Sequence, residues 1–277
     1  MDKTKGGIRM GLFNFGKKKR DHELPKAPNP VPMSSAVNPP KAVTPIQLNL
    51  NKEESLNLLD LRKAEVAATC SSIEALKGMK AQVALVLDYS GSMSQLYNNG
   101  TVQSIIERIL PIACQFDDNE SLDLWIFENG YHRLGSINLT NYYDYVRREI
   151  LPKYRMRGTN YAPVMKDVIR HYTEKEQTGL PAYVIFITDG DNSDKSETTR
   201  VMTEASKKPI FWQFVGIGHE SFAYLQRLDD LSGRYTDYAD FFKIQDINRV
   251  ADAKLYADLL NEFPGWITQA KHKGLLK

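Results

Sequence analysis

The sequence is poor in cysteine and has no long apolar segment. Its 277 residues include only Cys70 and Cys114, without the paired spacing that structural zinc sites use. A disulfide framework is therefore excluded, and this cysteine usage suits a reducing cytosol. No apolar run approaches the ~18 residues of a membrane-spanning helix. Met1 to Arg20 has charges scattered through it and no apolar core. We expect a cytoplasmic protein without a standard secretion signal.

An excess of charge of one sign is also absent. The chain has 36 basic and 34 acidic side chains, a net charge of +2. It therefore offers no whole-chain attraction to phosphates, and we expect no nucleic-acid partner. The motif Gly-x-x-x-x-Gly-Lys-Ser/Thr does not occur, and Gly216-Ile-Gly218 lacks the third glycine of a dinucleotide fingerprint. ATP binding by a P-loop is excluded.

Residues 1–45 differ from the rest of the chain in charge and in proline content. They carry nine basic against three acidic side chains, and seven of the thirteen prolines lie from Pro25 to Pro45. This composition buries little apolar surface, so it predicts a disordered basic tail with a Pro-rich linker. Two phenylalanines followed by Lys17-Lys-Lys-Arg20 would also suit a membrane-surface anchor. That alternative stays open, although we favour a solvated tail.

The pattern of apolar residues changes at residue 46. Ile46, Leu48 and Leu50 alternate with polar residues, and further leucines follow up to Leu61. A period of two is typical of β-strands. We therefore predict a β-rich N-terminal extension over residues 46–79, packed on a body formed by residues 80–277.

Apolar runs alternate with amphipathic segments throughout the body. Strands are predicted at Val83–Leu87, Leu122–Phe127, Tyr131–Ile137, Ala182–Ile187 and Ile210–Val215. Helices are predicted at Val102–Leu110, Tyr142–Ile150, Pro163–Tyr172, Glu197–Ala205 and Phe222–Leu231, followed by a C-terminal helical extension. Pro111 should end or kink the first of these helices. The alternation predicts an α/β fold, a doubly wound, mostly parallel sheet flanked by helices.

Oxygen-bearing side chains follow the predicted strands where each strand ends. Asp88, Ser90 and Ser92 come after the first strand, Asp189 follows the fourth, and Thr159 lies in a Gly-containing loop before a helix. Ligands bind beyond the carboxyl ends of strands in such sheets. An all-oxygen set suits Mg²⁺, Mn²⁺ or Ca²⁺ and does not suit Zn²⁺. We predict a divalent metal site at these five residues.

Three further residues lie close to these ligands in the sequence, and we assign an expected role to each. Gly91 separates the two serines, and we expect it to be needed for the turn that brings their hydroxyls together. Asp191 and Asp194 would add negative charge beside the metal, but a solvated acidic loop is the interpretation that we favour.

Asp88-x-Ser90-x-Ser92, with Thr159 and Asp189, resembles the metal-ion-dependent adhesion site of von Willebrand factor A (vWA) domains. The resemblance implies that the two serines ligate the metal directly, and that the other three residues do so directly or through water. It also implies a coordination position left for an acidic side chain of a protein partner.

Additional stretches resemble the bacterial TerF-like branch of vWA proteins, which is associated with resistance to tellurite and other toxic ions. They include Gly158-Thr-Asn-Tyr-Ala-Pro163, Phe186-Ile-Thr-Asp-Gly-Asp-Asn192 and Glu262-Phe-Pro-Gly-Trp266. The resemblance extends from about Lys80 to the C-terminus. It implies a role in a bacterial stress response.

Two classes of function remain. The first is a metal-dependent protein-binding module. The second is a Mg²⁺-dependent phosphotransferase-like enzyme in which Asp88 accepts a phosphoryl group. The enzyme would need a second carboxylate two residues later as acid and base, where this chain has Ser90. We expect a binding module and no enzyme.

Overall fold

A computed structural model describes residues 50–176 and 178–276 of the chain. The predicted basic tail and Pro-rich linker, residues 1–45, lie outside these residues. Among the helices of the described residues, none is both long enough and apolar enough to span a bilayer.

One six-stranded sheet forms the centre of the fold. Its strands are β1 (Gln82–Asp88), β2 (Leu122–Phe127), β3 (Tyr131–Ile137), β4 (Ala182–Thr188), β5 (Ile210–Ile217) and β6 (Ala239–Ile244). The spatial order is β3-β2-β1-β4-β5-β6, and only the β2–β3 hairpin is antiparallel. Every residue of β1, β4 and β5 is buried, as expected for parallel strands covered on both faces. The predicted α/β doubly wound fold is confirmed.

Helices flank the sheet. The described α-helices are α1 (Lys52–Ser72), α2 (Ser94–Asn98), α3 (Thr101–Phe116), α4 (Ala162–Arg170), α5 (Lys195–Ala205), α6 (Ala223–Asp229), α7 (Asp252–Leu259) and α8 (Phe263–His272). The two last helices form the predicted C-terminal helical extension. Within α8, Trp266 is 1% exposed and packs beside Phe211 of β5, so this helix is docked on the sheet.

The predicted β-structure in residues 46–79 is wrong where the structure describes it, because residues 52–72 form α1. Asn51 caps this helix in a reciprocal capping box with Glu54. The buried face has helical spacing but mixed chemistry, and it consists of Ser55, Leu59, Arg62, Val66 and Cys70. Polar residues occupy part of that buried face, so the apolar residues of this segment do not show a helical spacing. The alternation of its first apolar residues with polar ones therefore indicated a strand. Ile46 and Leu48 lie outside the described residues.

A buried cluster of ion pairs links α1 to helices of the body. Asp252, the first residue of α7, accepts from Arg62 Nε of α1 at 2.9 Å and from Arg108 Nε of α3 at 2.5 Å. Arg108 also donates to the backbone oxygens of Ile247 and Val250 at 2.7 and 2.6 Å. Both arginines are almost fully buried. The helix that precedes residue 80 is therefore packed on the body.

Two helix predictions in the body need correction. Of the two alternatives for Pro111, an end of the helix is wrong, since α3 continues to Phe116, and a kink stays a prediction. The residues after it, Ile112, Ala113 and Phe116, are fully buried, and their burial outweighs the ~3 kcal/mol that an interior proline costs. The helix predicted at residues 142–150 is reduced to a short π-helical turn at Val146–Ile150.

Strand β6 is absent from the sequence-based prediction. It is a short edge strand in which Phe241, Phe242 and Lys243 are not buried. Such a segment lacks the continuous apolar run that identified the central strands.

Candidate metal centre

The sheet topology brings the predicted metal ligands to one edge. Strands β1 and β4 are parallel neighbours, with Leu87 opposite Ile187. Asp88 is the last residue of β1, and Asp189 follows the last residue of β4. The two carboxylates therefore lie at corresponding ends of adjacent strands.

Asp88 is the most buried member of the site, with 0% exposure. Its Oδ1 accepts from the backbone N–H of Ser90 at 2.8 Å, and its Oδ2 accepts from Thr188 Oγ1 at 2.6 Å. Burial raises the pKa of this carboxyl to about 6; hydrogen bonds from Thr188 and Ser90 oppose the rise, and the nearby charge of Asp189 adds to it. A buried carboxylate with a raised pKa is stabilised when a cation binds beside it.

A chain of side-chain hydrogen bonds joins the other residues of the two strand ends. The hydroxyl oxygens of Ser90 and Ser92 are 3.0 Å apart, and Ser92 Oγ donates to Asp189 Oδ1 at 2.8 Å. Ser90 is 3% exposed, whereas Ser92 lies on the surface. The cluster thus runs from the buried carboxylate to solvent, and its outer members are accessible to an ion.

The loop that carries Thr159 is held against both strand ends by backbone contacts. Arg157 forms an isolated parallel bridge with Ser90, and its carbonyl accepts from the N–H of Gly91 at 3.1 Å. The carbonyl of Thr159 accepts from the N–H of Ser193 at 2.9 Å. Among the described residues, no side-chain hydrogen bond joins Thr159 to the other four predicted ligands. The structure thus brings its loop to the site, but it does not link its hydroxyl to the cluster.

Gly91 does not have the conformational role expected from the sequence. It is not among the glycines with positive φ, and a Cβ at this position would meet no atom within 4 Å. The two serine hydroxyls approach each other because Gly91 begins a short 3₁₀ turn, Gly91–Met93, that an ordinary residue could also adopt.

Asp194 has a structural role that sequence analysis did not identify. Its carboxylate accepts from the N–H groups of Tyr161 and Ala162 at 3.0 and 2.8 Å, at the start of α4. These are N–H groups that the first turn of a helix leaves without intrahelical partners. Asp194 therefore anchors the loop that carries Thr159, and the interpretation as a solvated loop is wrong for this residue. Asp191 is exposed and pairs with Lys195 at 2.5 Å.

Thr188 was also missed as a functional residue. Its hydroxyl donates to Asp88 and accepts from Tyr161 Oη at 3.2 Å. It orients the buried carboxylate from the neighbouring strand. The only signal in the sequence was its position, directly before Asp189 at the end of a buried strand.

The donor set fits a hard divalent cation. Asp88, Asp189, Ser90 and Ser92 offer only oxygen, the ligand atom that Mg²⁺, Mn²⁺ and Ca²⁺ prefer. The pKa of each of the two carboxyls is raised, with desolvation as the main cause, and among the described residues no ion pair within 4.0 Å includes either of them. The negative charge of the cluster is thus left without a protein counter-ion.

A doubly wound sheet with an Asp-x-Ser-x-Ser loop and a Thr-Asp loop on adjacent central strands defines a vWA-type domain. A family model described as "vWA found in TerF C terminus" matches residues 80–276. The chain belongs to this vWA-TerF-like family, as the sequence motifs implied.

Comparisons with individual proteins agree with this assignment. The uncharacterized protein YcbR of Bacillus subtilis (strain 168) is 44% identical over 222 residues, which cover 79% of this chain and 90% of YcbR. Copine-C of Dictyostelium discoideum is 30% identical over 105 residues, 37% of this chain and 20% of the copine.

Proximal thread matrix protein 1 from the mussel byssus was solved with a zinc-occupied metal-ion-dependent adhesion site (MIDAS) motif. It superimposes on this chain with a TM-score of 0.50 at 13% identity. The match covers 67% of this chain and 46% of that protein, so it concerns the fold.

Proposed function

We propose that the protein is a metal-dependent protein-binding module. In this proposal Asp88, Ser90, Ser92, Thr159 and Asp189 hold one divalent cation, Mg²⁺ or alternatively Mn²⁺ or Ca²⁺. The observation that carries the proposal is the buried Asp88 carboxylate, which lies beside a hydroxyl–carboxylate chain that reaches solvent and has no ion-pair partner in the described part of the chain.

The charge and the number of ligands define the partner. Two carboxylates neutralise a dication, and with three hydroxyl oxygens they occupy at most five of about six octahedral positions. A partner's Asp or Glu carboxylate can take the remaining position in place of a water. Because Ser92 is exposed and Asp189 is half-buried, such a side chain can approach from the solvent side.

Binding is favoured over catalysis. In the phosphotransferase alternative, an oxygen of Asp88 would attack a phosphoryl group, yet the side chain is fully buried and both of its oxygens accept hydrogen bonds. The position two residues later, where an acid and base would stand, holds Ser90. We therefore propose no enzymatic activity for this site.

We also propose a cellular setting for this module. Membership of the vWA-TerF-like family supports a place in a bacterial response to tellurite or other toxic ions. With two free cysteines and no disulfide in the described residues, we propose a cytoplasmic location. Association of the basic tail with a membrane remains the less favoured alternative.

Titration calorimetry with Mn²⁺ and Mg²⁺ tests the metal site. Wild type should bind one ion at the site, Asp88→Ala should lose that binding, and Asp191→Ala should retain it. Asp191→Ala is the matched control because it removes a nearby carboxylate that is exposed and paired with Lys195. If Asp88→Ala is folded and binds Mn²⁺ as tightly as wild type, the proposed metal site is wrong.

A second experiment tests the function. Proteins recovered from the native host with wild type, Asp88→Ala and Thr159→Ala should be compared in Mg²⁺ and in chelator. The proposal predicts a partner that is recovered with wild type in Mg²⁺, recovered less with Thr159→Ala, and not recovered with Asp88→Ala or in chelator. By linkage, the partner must tighten metal binding by the same factor as the metal tightens partner binding. Equal recovery under all conditions would mean that the partner docks elsewhere.

A further inference from the structure

Two exposed arginines flank the candidate metal centre on the side of β1 and β2. The backbone of Arg157 forms a bridge with Ser90, and Arg155 lies two residues earlier. The N–H of Asn160, in the same loop, donates to the carbonyl of Glu128 after β2 at 2.8 Å. Among the described residues, no ion pair within 4.0 Å includes either arginine. Their charges are therefore available to a bound partner.

A glutamate lies on the opposite side of the centre, in the loop that follows β5. Strands β4 and β5 are parallel neighbours with Thr188 opposite Gly216, so this loop begins beside Asp189. Glu220 is exposed in the loop, and within the described part of the chain no ion pair within 4.0 Å includes its carboxylate. Burial raises the pKa of Asp189 and the charge of Glu220 adds to the rise, which agrees with this position. The surface around the centre is thus basic on one side and acidic on the other.

The loop that carries Glu220 is fixed by a buried aromatic side chain. Phe222 is 1% exposed, and a Cβ at Gly216 would lie 2.8 Å from its ring, so the ring packs directly on the backbone of β5. The φ of Phe222 is 50°, which non-glycine residues rarely adopt. Lys243 of β6 donates to the carbonyl of Glu220 at 2.6 Å. Strained backbone of this kind clusters at functional sites, and a fixed loop lowers the entropic cost of binding.

We propose that the partner is a protein segment with an ordered charge pattern, in which the acid that binds the metal is flanked by a second acid on the Arg157 side and by a base on the Glu220 side. This inference rests on the proposed function and adds the direction in which the segment crosses the centre. Arg155 and Arg157 attract an acid and repel a base, and Glu220 does the reverse. Asp191 is already paired with Lys195, so Glu220 supplies the unpaired outer charge on the acidic side.

The test measures binding of the fluorescently labelled full chain to synthetic peptides on beads, in Mn²⁺ and in chelator. Every peptide has a central Asp. One pool has Glu among the residues before it and Lys among the residues after it, a second pool has the reverse order, and a third has neutral flanks. Wild type should bind one charged pool about fivefold more strongly than the other, and only in Mn²⁺. This preference should weaken as the salt concentration rises.

Inversion of the two sides supplies the decisive variant. Arg157→Glu combined with Glu220→Lys keeps the net charge and should prefer the pool of opposite order, less strongly because Arg155 stays. Lys254→Glu combined with Asp258→Lys inverts an exposed pair on α7 and should keep the wild-type preference. Melting temperature and Mn²⁺ calorimetry check that both variants are folded and bind the metal.

The possible results separate this inference from the proposed function. Equal binding of the two charged pools by wild type would overturn the inference. So would an inverted variant that keeps the wild-type preference. In both cases the proposed function stands if the pools bind only in Mn²⁺. If no pool binds better in Mn²⁺ than in chelator, the inference and the proposed function both fail.

Discussion

Replacement of Asp252 by asparagine should destabilise the protein strongly. This carboxylate is the shared acceptor of Arg62 and Arg108, and all three side chains are buried. Asparagine keeps the size of the side chain and removes its charge, so two buried guanidinium groups lose their main counter-ion. Removing one partner of a buried ion pair costs about 3–5 kcal/mol of the free energy of unfolding. For a domain of this size, that corresponds to a fall in melting temperature of about 6–20 °C.

Replacement of Arg62 in this cluster should cost less stability than replacement of Asp252. Arg62→Met removes one positive charge, and Arg108 still pairs with Asp252 and still donates to two backbone carbonyls. The buried charges then balance, and the Nη1 of Arg62, which has no hydrogen-bond partner in the described residues, disappears. We expect a loss well below that of Asp252→Asn, because no buried charge is left without a partner when Arg108 still pairs with Asp252.

Urea denaturation of Asp252→Asn, Arg62→Met and the double variant would measure these differences. The surface pair of Lys254 and Asp258 on the same helix supplies the control: Asp258→Asn should cost less than about 1 kcal/mol, since exposed pairs contribute little. A loss under about 1 kcal/mol for Asp252→Asn would refute the reasoning from buried charge. So would an equal loss for Arg62→Met.

Further predictions concern the metal centre and the thiols. Thr188→Val removes the hydroxyl that orients Asp88 and should weaken Mn²⁺ binding about 10–100-fold while the domain stays folded; unchanged affinity in calorimetry would contradict this role. Burial raises the pKa of the Cys70 and Cys114 thiols to about 11, so about one in a thousand is ionised at pH 8. Iodoacetamide should therefore label the native protein far more slowly than the urea-unfolded protein, and the native rate should rise between pH 8 and pH 10. Fast native labelling at pH 8 would show that these thiols are accessible and ionised.

The sheet was largely predictable from the sequence because its central strands are buried on both faces. Continuous apolar runs such as Val83–Leu87 are a strong local signal, and the Asn-Gly turn identified the β2–β3 hairpin. Helix α1 was not predictable in this way, since Ser55 and Arg62 occupy its buried face and Leu61 is 68% exposed. Burial of Arg62 depends on Asp252, which is 190 positions away in the chain.

The candidate site was predictable for a related reason. The carboxyl ends of parallel strands lie along one edge of the sheet, so the sequence places Asp88 and Asp189 at the same edge, whereas the pairing of β1 with β4 is seen only in the structure. The roles of Thr188 and Asp194 could not be predicted, because each depends on a hydrogen bond to another segment.

The hydrogen bonds that link β1 to the end of β4 also constrain how the protein folds. Thr188 contacts Asp88 across 100 positions of the chain, and Ser92 contacts Asp189 across 97. Contacts of this separation require the closure of a long loop, so we expect them to form late in folding. A metal ion at this site would therefore have no preformed cluster to bind in the unfolded chain. It would act on the finished domain, so that added metal should slow unfolding and leave the folding rate almost unchanged.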